Sequence, residues 1–509
     1  MAATHTTSST DSIRIPAAST KGAPILTREQ SRVVWLLLAA AFVAILNETT
    51  MGVAIPHLIE DLSITALAAQ WLTTAFMLTM AVVIPITGFL LRRFTTRAMF
   101  VTAMSLFSAG TLIALLAPGF PVLLIARVVQ ASGTAIMMPL LMTTLMTVVP
   151  AHSRGRMMGR VSVVISLAPA IGPTLSGFLL DTVGWRAIFA VVLPIALIAL
   201  GVGARWIHNL GETTHAPIDI LSVILSAFGF GGIVYGLSQI GGATAHGAGA
   251  EAAAAGAAST VSLVVALSVG VVSLAFFVWR QLILQKVDDA LLDLRVFRSA
   301  NFSLAIGQIS LLSIAFFGAI TVIPLYMQDV LEVSALQTGL VVLPGALVMG
   351  LAGPFIGRIY DRWGTRVLLV PGSIVASALL WVFTTFDAST PVWSIALAQT
   401  ALSLGLAMSF TPLFTASLAS LQPSFYSYGS AVVGTAQQLA GAAGIALLIT
   451  VYSAVSAGAV AAGADEIAAG AAGAQAAFTL AAIASMPLIV GAFFIRKPAD
   501  QPFDAPIAH

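Results

Sequence analysis

The sequence predicts an all-α polytopic membrane protein with fourteen spans, which an internal repeat divides into two six-helix bundles plus two extra transmembrane helices. Three observations predict the spans. Of 509 residues, 59% are hydrophobic and only 8% charged, against about 25% charged in a soluble domain. The chain divides into apolar stretches that each approach or exceed the length a bilayer requires, about 20 residues. The basic residues fall on alternate loops, as the positive-inside rule demands of a correct span count.

The spans run roughly over 33–56, 69–91, 98–117, 121–149, 158–180, 186–206, 218–240, 260–282, 302–328, 335–356, 366–386, 391–419, 430–456 and 474–495. Residues 1–32 are polar and rich in Ser, Thr and Ala, with no apolar core and no cleavage pattern. They read as a disordered cytoplasmic tail and not as a signal peptide. Residues 497–509 read as a second tail. Two stretches, 241–260 and 456–475, are Ala/Gly-rich and nearly free of charge. Gly every few residues predicts mobile external loops; a short surface helix within either is the alternative.

Orientation follows from the Lys and Arg residues. Arg127 lies inside span 4 and Arg186 at the outer start of span 6. The others cluster on one side, in the tails and in loops holding Arg92, Arg93, Arg97, Arg154, Arg156, Arg160, Arg280, Lys286, Arg295, Arg298, Arg358, Arg362 and Arg366. That side is predicted to be the cytoplasm, with both termini there. The opposite loops carry acids, among them Glu60, Asp61, Asp329, Glu332 and Asp387. The Ala/Gly-rich composition is in keeping with a GC-rich bacterial source, whose plasma membrane would house the protein.

An internal repeat marks the two halves. Gly88 to Arg97 and Gly357 to Arg366 both follow the pattern Gly-x-x-x-[Arg/Asp]-Arg-x-x-Thr-Arg at a short basic turn. Paired halves suggest a transporter with its site between them. The predicted division is an N-terminal bundle over 33–206, two inserted helices with linkers over 207–300, and a C-terminal bundle over 301–496.

The candidate chemistry centres on Glu48, in the segment Asn47-Glu48-Thr49-Thr50 of span 1. A charge at the bilayer centre costs about 2.5 to 3.5 kcal/mol on insertion scales. Glu48 is the one acid placed in the interior of a span, so it is expected to face protein or a water-filled cavity and to carry a proton. The alternative is a structural acid bonded within the bundle. Span 4 holds Arg127 with Gln130 one turn on; Arg127 must be paired or hydrogen-bonded there. Asp219, at the start of span 7, reads as a helix N-cap, with a proton site as the alternative. No nucleotide loop, metal-ligand cluster or nucleophile constellation appears, and Cys is absent. An enzyme, a cofactor, a metal site and a nucleic-acid partner are therefore not expected.

Four motifs carry a resemblance to the major facilitator superfamily, and within it to the fourteen-span drug:proton antiporters, including exporters of the lincosamide-resistance type. The second basic turn matches that superfamily's pattern at Gly357, Asp361, Arg362, Gly364 and Arg366. The first departs, with Arg92 where Asp is expected and Thr95 where Gly is. Arg127-Val-Val-Gln130-Ala-Ser-Gly133 is similar to the buried-arginine motif. Gly172-Pro173-Thr-Leu-Ser176-Gly177 resembles the antiporter motif, with Ser176 replacing a Gly. In span 1 Asn47 takes the usual acid position and Glu48 follows it. Further likenesses are Gly184 to Phe189, Leu291 to Phe297, Pro324 to Gln328, and Gln437-Gln438-x-x-Gly441-x-x-Gly444.

The resemblance implies alternating access driven by a proton gradient. It implies proton coupling at Glu48 and Arg127 with support from Asn47 and Gln130. It also implies a bendable contact between halves at Gly172, Pro173 and Gly177, and a cytoplasmic gate at the second turn. A small-molecule substrate and the lipid bilayer are the expected partners, with a monomer sufficient. Trp71, Phe76, Phe316, Tyr326, Gln328, Phe410 and Gln437 are candidate cavity residues. The resemblance favours export of amphipathic or cationic drugs; the alternatives are export of a metabolite such as an amino acid, siderophore or self-made antibiotic, and, after that, a non-transporting sensor. Sodium is an open alternative to the proton, since Asn47, Glu48 and Thr49 offer oxygen ligands.

Overall fold

A computed structural model describes residues 27–207, 209, 218–243 and 250–498. The described residues form fourteen long helices joined by turns and short 3-10 segments, with no strand among them. In a bilayer only closed hydrogen bonding within each segment satisfies the backbone, and helices achieve it. The N-terminal helices are α1 (Arg28–Asp61), α2 (Ala66–Arg93), α3 (Thr96–Leu115), α4 (Phe120–Val148), α5 (Arg154–Thr182) and α6 (Arg186–Trp206). The inserted pair is α7 (Ile220–Ala243) and α8 (Ala250–Leu284). The C-terminal helices are α9 (Ala300–Asp329), α10 (Ala335–Trp363), α11 (Arg366–Phe383), α12 (Val392–Ala419), α13 (Tyr426–Ala461) and α14 (Glu466–Ala492).

Each of the fourteen contains a window apolar enough to cross a membrane. Several helix starts are set by side-chain caps. Thr27 and Gln30 form a reciprocal capping box on α1, as Ser334 and Gln337 do on α10. The α1 cap places the first turn inside the stretch expected to be a tail; residues 1–26 lie outside the described residues.

The two predicted loops differ from expectation. Residues 250–260 continue α8, and 244–249 lie outside the described residues. The stretch 456–475 is the end of α13, a four-residue turn and the start of α14. Ala holds the helix, and Gly470 and Gly473 serve contact. A Cβ on Gly473 would lie 2.5 Å from the Tyr452 carbonyl oxygen. Gly463 alone breaks the run, at φ 93°.

The halves pack α5 against α10 and α12, and α13 against α2 and α4. The inserted pair stands to one side. Helix α7 rests on α2 and α13, and α8 packs chiefly on α7. Gly232 and Gly270 let these two backbones touch, since a Cβ on Gly232 would lie 2.9 Å from the Gly270 Cα. The outer face of α8 exposes Val261, Phe276 and Trp279, apolar groups suited to lipid.

At the basic end of the pair, Arg280 clamps Asp219 with donor distances of 2.6 and 2.8 Å. Asp219 also accepts from the Ser222 backbone N–H at 3.2 Å, as an N-cap does. Hydrogen bonding from Arg280 holds the Asp219 carboxyl down at about 2. That argues against a proton carrier at neutral pH. A depressed carboxyl stabilises the fold above its unfolded value, about 3.9, and this contribution is lost as pH falls toward 2. Asp219→Asn is therefore expected to lower Tm at pH 7 and to matter progressively less below pH 4, as a thermal-shift series would show.

Candidate functional site

The buried arginine is held by three helices. Arg127, 1% exposed, donates from Nη1 to Gln130 Oε1 at 2.8 Å. Gln130 Nε2 in turn donates to Thr111 Oγ1 on α3 at 2.8 Å. Phe76 of α2 lies beneath the guanidinium, with its ring centre 4.1 Å from Cζ. A cation over an aromatic face is worth about 2 kcal/mol when desolvated. Helices α3 and α4 come close enough for this because Gly110 and Gly133 lie between them; a Cβ on Gly110 would meet the Gln130 nitrogen at 2.6 Å.

Glu48 is half-buried on α1. It and Arg127 act on one another electrostatically, yet among the described residues no ion pair joins them. Arg127 is thus fixed by Gln130 and Phe76, independently of the acid. Asn47 is 1% exposed, and neither polar atom of its amide has a hydrogen-bond partner; the same is true of Arg127 Nε.

Gly172 and Ser176 of the antiporter motif contact this segment. Gly172 seats the Thr49 hydroxyl, whose Cβ would lie 3.1 Å from a Cβ added there. Ser176 donates to the Thr50 carbonyl at 2.9 Å. Pro173 lies on the same stretch of α5, and Gly177 has open space beside it. The closest backbone contact of α5 with the other half is at its basic end. A Cβ on Gly155 would lie 2.6 Å from the Gly357 carbonyl oxygen, and one on Gly159 would lie 2.7 Å from the Gly353 carbonyl carbon. Thr49 also turns its hydroxyl to its own helix, donating to the Leu46 carbonyl at 3.0 Å. Thr49 faces α5 while Glu48 interacts with Arg127 on α4.

The polar contacts between halves gather at the basic end. Asp361 accepts from the Gly155 and Arg156 backbone N–H groups at 2.7 and 2.8 Å, capping the start of α5 from the end of α10. Ser162 and Thr411 share a hydrogen bond of 2.7 Å, as do Thr143 and Ser430. Arg154 donates to the Tyr426 hydroxyl at 3.1 Å. Where the first turn lacks its acid, Arg92 donates to the Tyr428 hydroxyl at 3.0 Å. The molecule is closed at this end. Gly364, at φ 83°, ends α10, and Arg362 lies over Trp363 while Arg366 opens α11. Asp361→Ala removes the cap and is expected to weaken closure by about 1 kcal/mol, read as a longer inter-half distance at this end.

The candidate cavity residues divide. Phe76 is 1% exposed and committed to Arg127, and Tyr326 is fully buried, donating to the Asp387 carbonyl at 2.6 Å. Neither is free to line a cavity. Trp71 stacks on Tyr235 of α7 at 5.7 Å, and Gln328 is exposed at the end of α9. Phe316 and Phe410 form an edge-on pair at 6.1 Å in the C-terminal bundle, and Gln437 is half-buried on α13. Thr111, Gly155, Gly159, Gly353 and Tyr428 were not singled out by sequence. For the glycines the sequence does carry a signal, the four-residue spacing of Gly155–Gly159 and Gly353–Gly357; for Thr111 and Tyr428 it carries none.

The model for the Major Facilitator Superfamily matches residues 37–445. The chain belongs to this superfamily. Several of its members are similar over nearly their whole length. An uncharacterized MFS-type transporter, YcnB of Bacillus subtilis (strain 168), is 42% identical over 92% of this chain and 96% of its own. The lincomycin resistance protein LmrB of Listeria innocua is 38% identical over 90% of this chain and 95% of its own. Among solved structures, the human organic anion transporter MFSD10 covers 91% of this chain, with 99% of its own covered, at a TM-score of 0.62 and 14% identity. The proton:xylose symporter XylE covers 90% of this chain, with 96% of its own, at a TM-score of 0.57 and 15% identity. The last two likenesses concern the fold. The chain is a multi-pass major facilitator transporter, which is not an enzyme.

Proposed function

We propose that the protein is a proton-coupled antiporter that exports amphipathic or cationic antibiotics and drugs by alternating access. The observation that carries the reading is Glu48, half-buried in a span and electrostatically coupled to an arginine that is held by other partners. A carboxylate not locked in an ion pair can take and release a proton without dismantling its surroundings. Arg127 offsets its charge when the proton leaves. When the proton binds, Gln130 and Phe76 still hold Arg127. Gly172 and Ser176 couple this segment of α1 to α5, and α5 carries the basic-end contact with α10. The basic end is read as cytoplasmic, so the conformation is closed inward. Lincomycin-resistance relatives place lincosamides first among the compounds to try.

The test is drug-induced proton movement in proteoliposomes, across a panel of lincosamides and lipophilic cations. The expected result is proton release with a subset of the panel. No release from folded protein overturns antiport. One interior acid implies one proton per cycle. Exchange of a proton for a monovalent cation then moves no net charge, so at zero pH gradient an imposed voltage should not drive it, although 100 mV is worth about 2.3 kcal/mol per charge. Voltage-driven uptake of a monocation would show a different stoichiometry.

A further inference from the structure

We propose that residues 287–298 form a strap that holds the basic end shut, and that the inserted pair α7–α8 anchors it through Gln281. The inference deepens the alternating-access reading by giving the two extra helices a part in it. It starts from a buried linker. Ala290, Leu291, Leu292, Asp293 and Val296 are each at most 4% exposed, although they connect two transmembrane helices at a polar end.

One side of the strap is tied to the inserted pair. Gln281 of α8 is fully buried, and its Oε1 accepts from the backbone N–H groups of Leu291 at 2.8 Å and Leu292 at 3.2 Å. Its Nε2 donates to Ser222 Oγ of α7 at 2.7 Å, and Ser222 donates to Asp219 of the Arg280 ion pair. The strap is thereby fastened to both helices of the pair. Its own turn is stiffened by Arg295, which binds both oxygens of Asp293 and pairs with Asp288.

The other side is tied across the two halves. The Tyr428 hydroxyl on α13 donates to the Ala290 carbonyl at 3.1 Å and accepts from Arg92 of α2 at 3.0 Å. The Arg92 guanidinium also lies over the Tyr428 ring, 5.1 Å from its centre. Arg295 lies over Phe425, just before α13, at 5.6 Å. One hydroxyl thus joins the N-terminal half, the C-terminal half and the strap. This is the seam where Arg92 stands in place of the acid. At the α5–α10 seam the halves latch directly through Asp361; at the α2–α13 seam the latch passes through Tyr428 to the strap. Separating α2 from α13 at this end requires Tyr428 to give up Arg92 or to pull on a segment that α7–α8 hold.

Because the chain has no Cys, paired spin labels can be introduced directly into the full-length protein. Ala98→Cys with Val367→Cys reports on the basic end; Ser63→Cys with Ala388→Cys reports on the opposite end. All four positions are exposed. Electron–electron distance distributions are compared for the parent, Gln281→Leu and Tyr428→Phe in lipid nanodiscs. Each variant is expected to shift the closed-to-open ratio by about tenfold, adding a longer distance at the basic end and a shorter one at the other. This reciprocal change is what loss of a gate contact produces. Broadening at both ends would assign Gln281 and Tyr428 to fold stability alone and overturn the proposal, as would unchanged distributions in both variants. The measurement needs neither drug nor proton gradient, so its failure is distinct from failure of the antiport reading.

Discussion

Glu48→Gln is expected to abolish uphill transport while leaving the protein folded and able to bind substrate. The amide matches the acid in shape and removes its ability to lose a proton. With one proton per cycle, a gradient of one pH unit supplies about 1.4 kcal/mol, which sustains about a tenfold substrate gradient. In the variant this ratio should fall to one, because nothing ties substrate movement to the proton. Drug-induced proton release should vanish with it. Binding should survive, since the acid is one group in a largely apolar interior, and fluorescence or equilibrium binding would show this. Equal proton release from parent and variant would move the coupling site away from Glu48. Asp219 is a poor successor, because its ion pair with Arg280 keeps it charged. Gln130→Leu serves as a companion. It removes the acceptor at Arg127 Nη1 and leaves Thr111 unpaired from α4, so Arg127 is freed to close on Glu48. A standing ion pair should then slow proton uptake without eliminating it.

Much of this arrangement was legible in the chain. Span count and alternation followed from the apolar runs and the placement of Arg and Lys, because a bilayer penalises any other distribution. Glu48, Arg127 and Gln130 stood out because ionisable and amide groups inside spans are costly. The partners of Arg127 were less accessible to such reading. Phe76 is one apolar residue among many on α2, and only the packing of α2 against α4 brings its ring under the guanidinium. Tyr326 was misplaced for a similar reason, since its hydroxyl is spent on a carbonyl in the α11–α12 turn, 61 residues on. The Ala/Gly-rich stretch 456–475 misled because glycine has two uses. It loosens a backbone in water, and it permits close approach between helices, as Gly473 does against Tyr452.

The same distinction gives the second large effect, at Gly159. A Cβ there would stand 2.7 Å from the Gly353 carbonyl carbon and 2.9 Å from Pro354 Cα. These are backbone atoms of α10, which cannot swing aside as a side chain can. Gly159→Ala therefore forces α5 and α10 apart at the basic end, and Gly159→Val does so more. Overpacking of this kind costs about 1 to 3 kcal/mol, a shift of about 5- to 150-fold in the closed-to-open ratio. In the alternating-access reading proposed above, the opposite-facing state separates these helices and bears no such cost, so the substitution acts on one state of the cycle alone. Transport that must pass through both states should slow accordingly, with a lowered maximal rate and the basic end open in the absence of substrate. Gly307→Ala supplies the contrast. No atom lies within 4 Å of a Cβ at Gly307, and alanine there should add about 0.5 to 1 kcal/mol of helix stability with transport unchanged. A Gly159→Ala protein that keeps parental distances and rates would show that α5 can slide along α10 to absorb a methyl group. The closed end would then be held by Asp361 and Tyr428, and not by the fit of the two backbones.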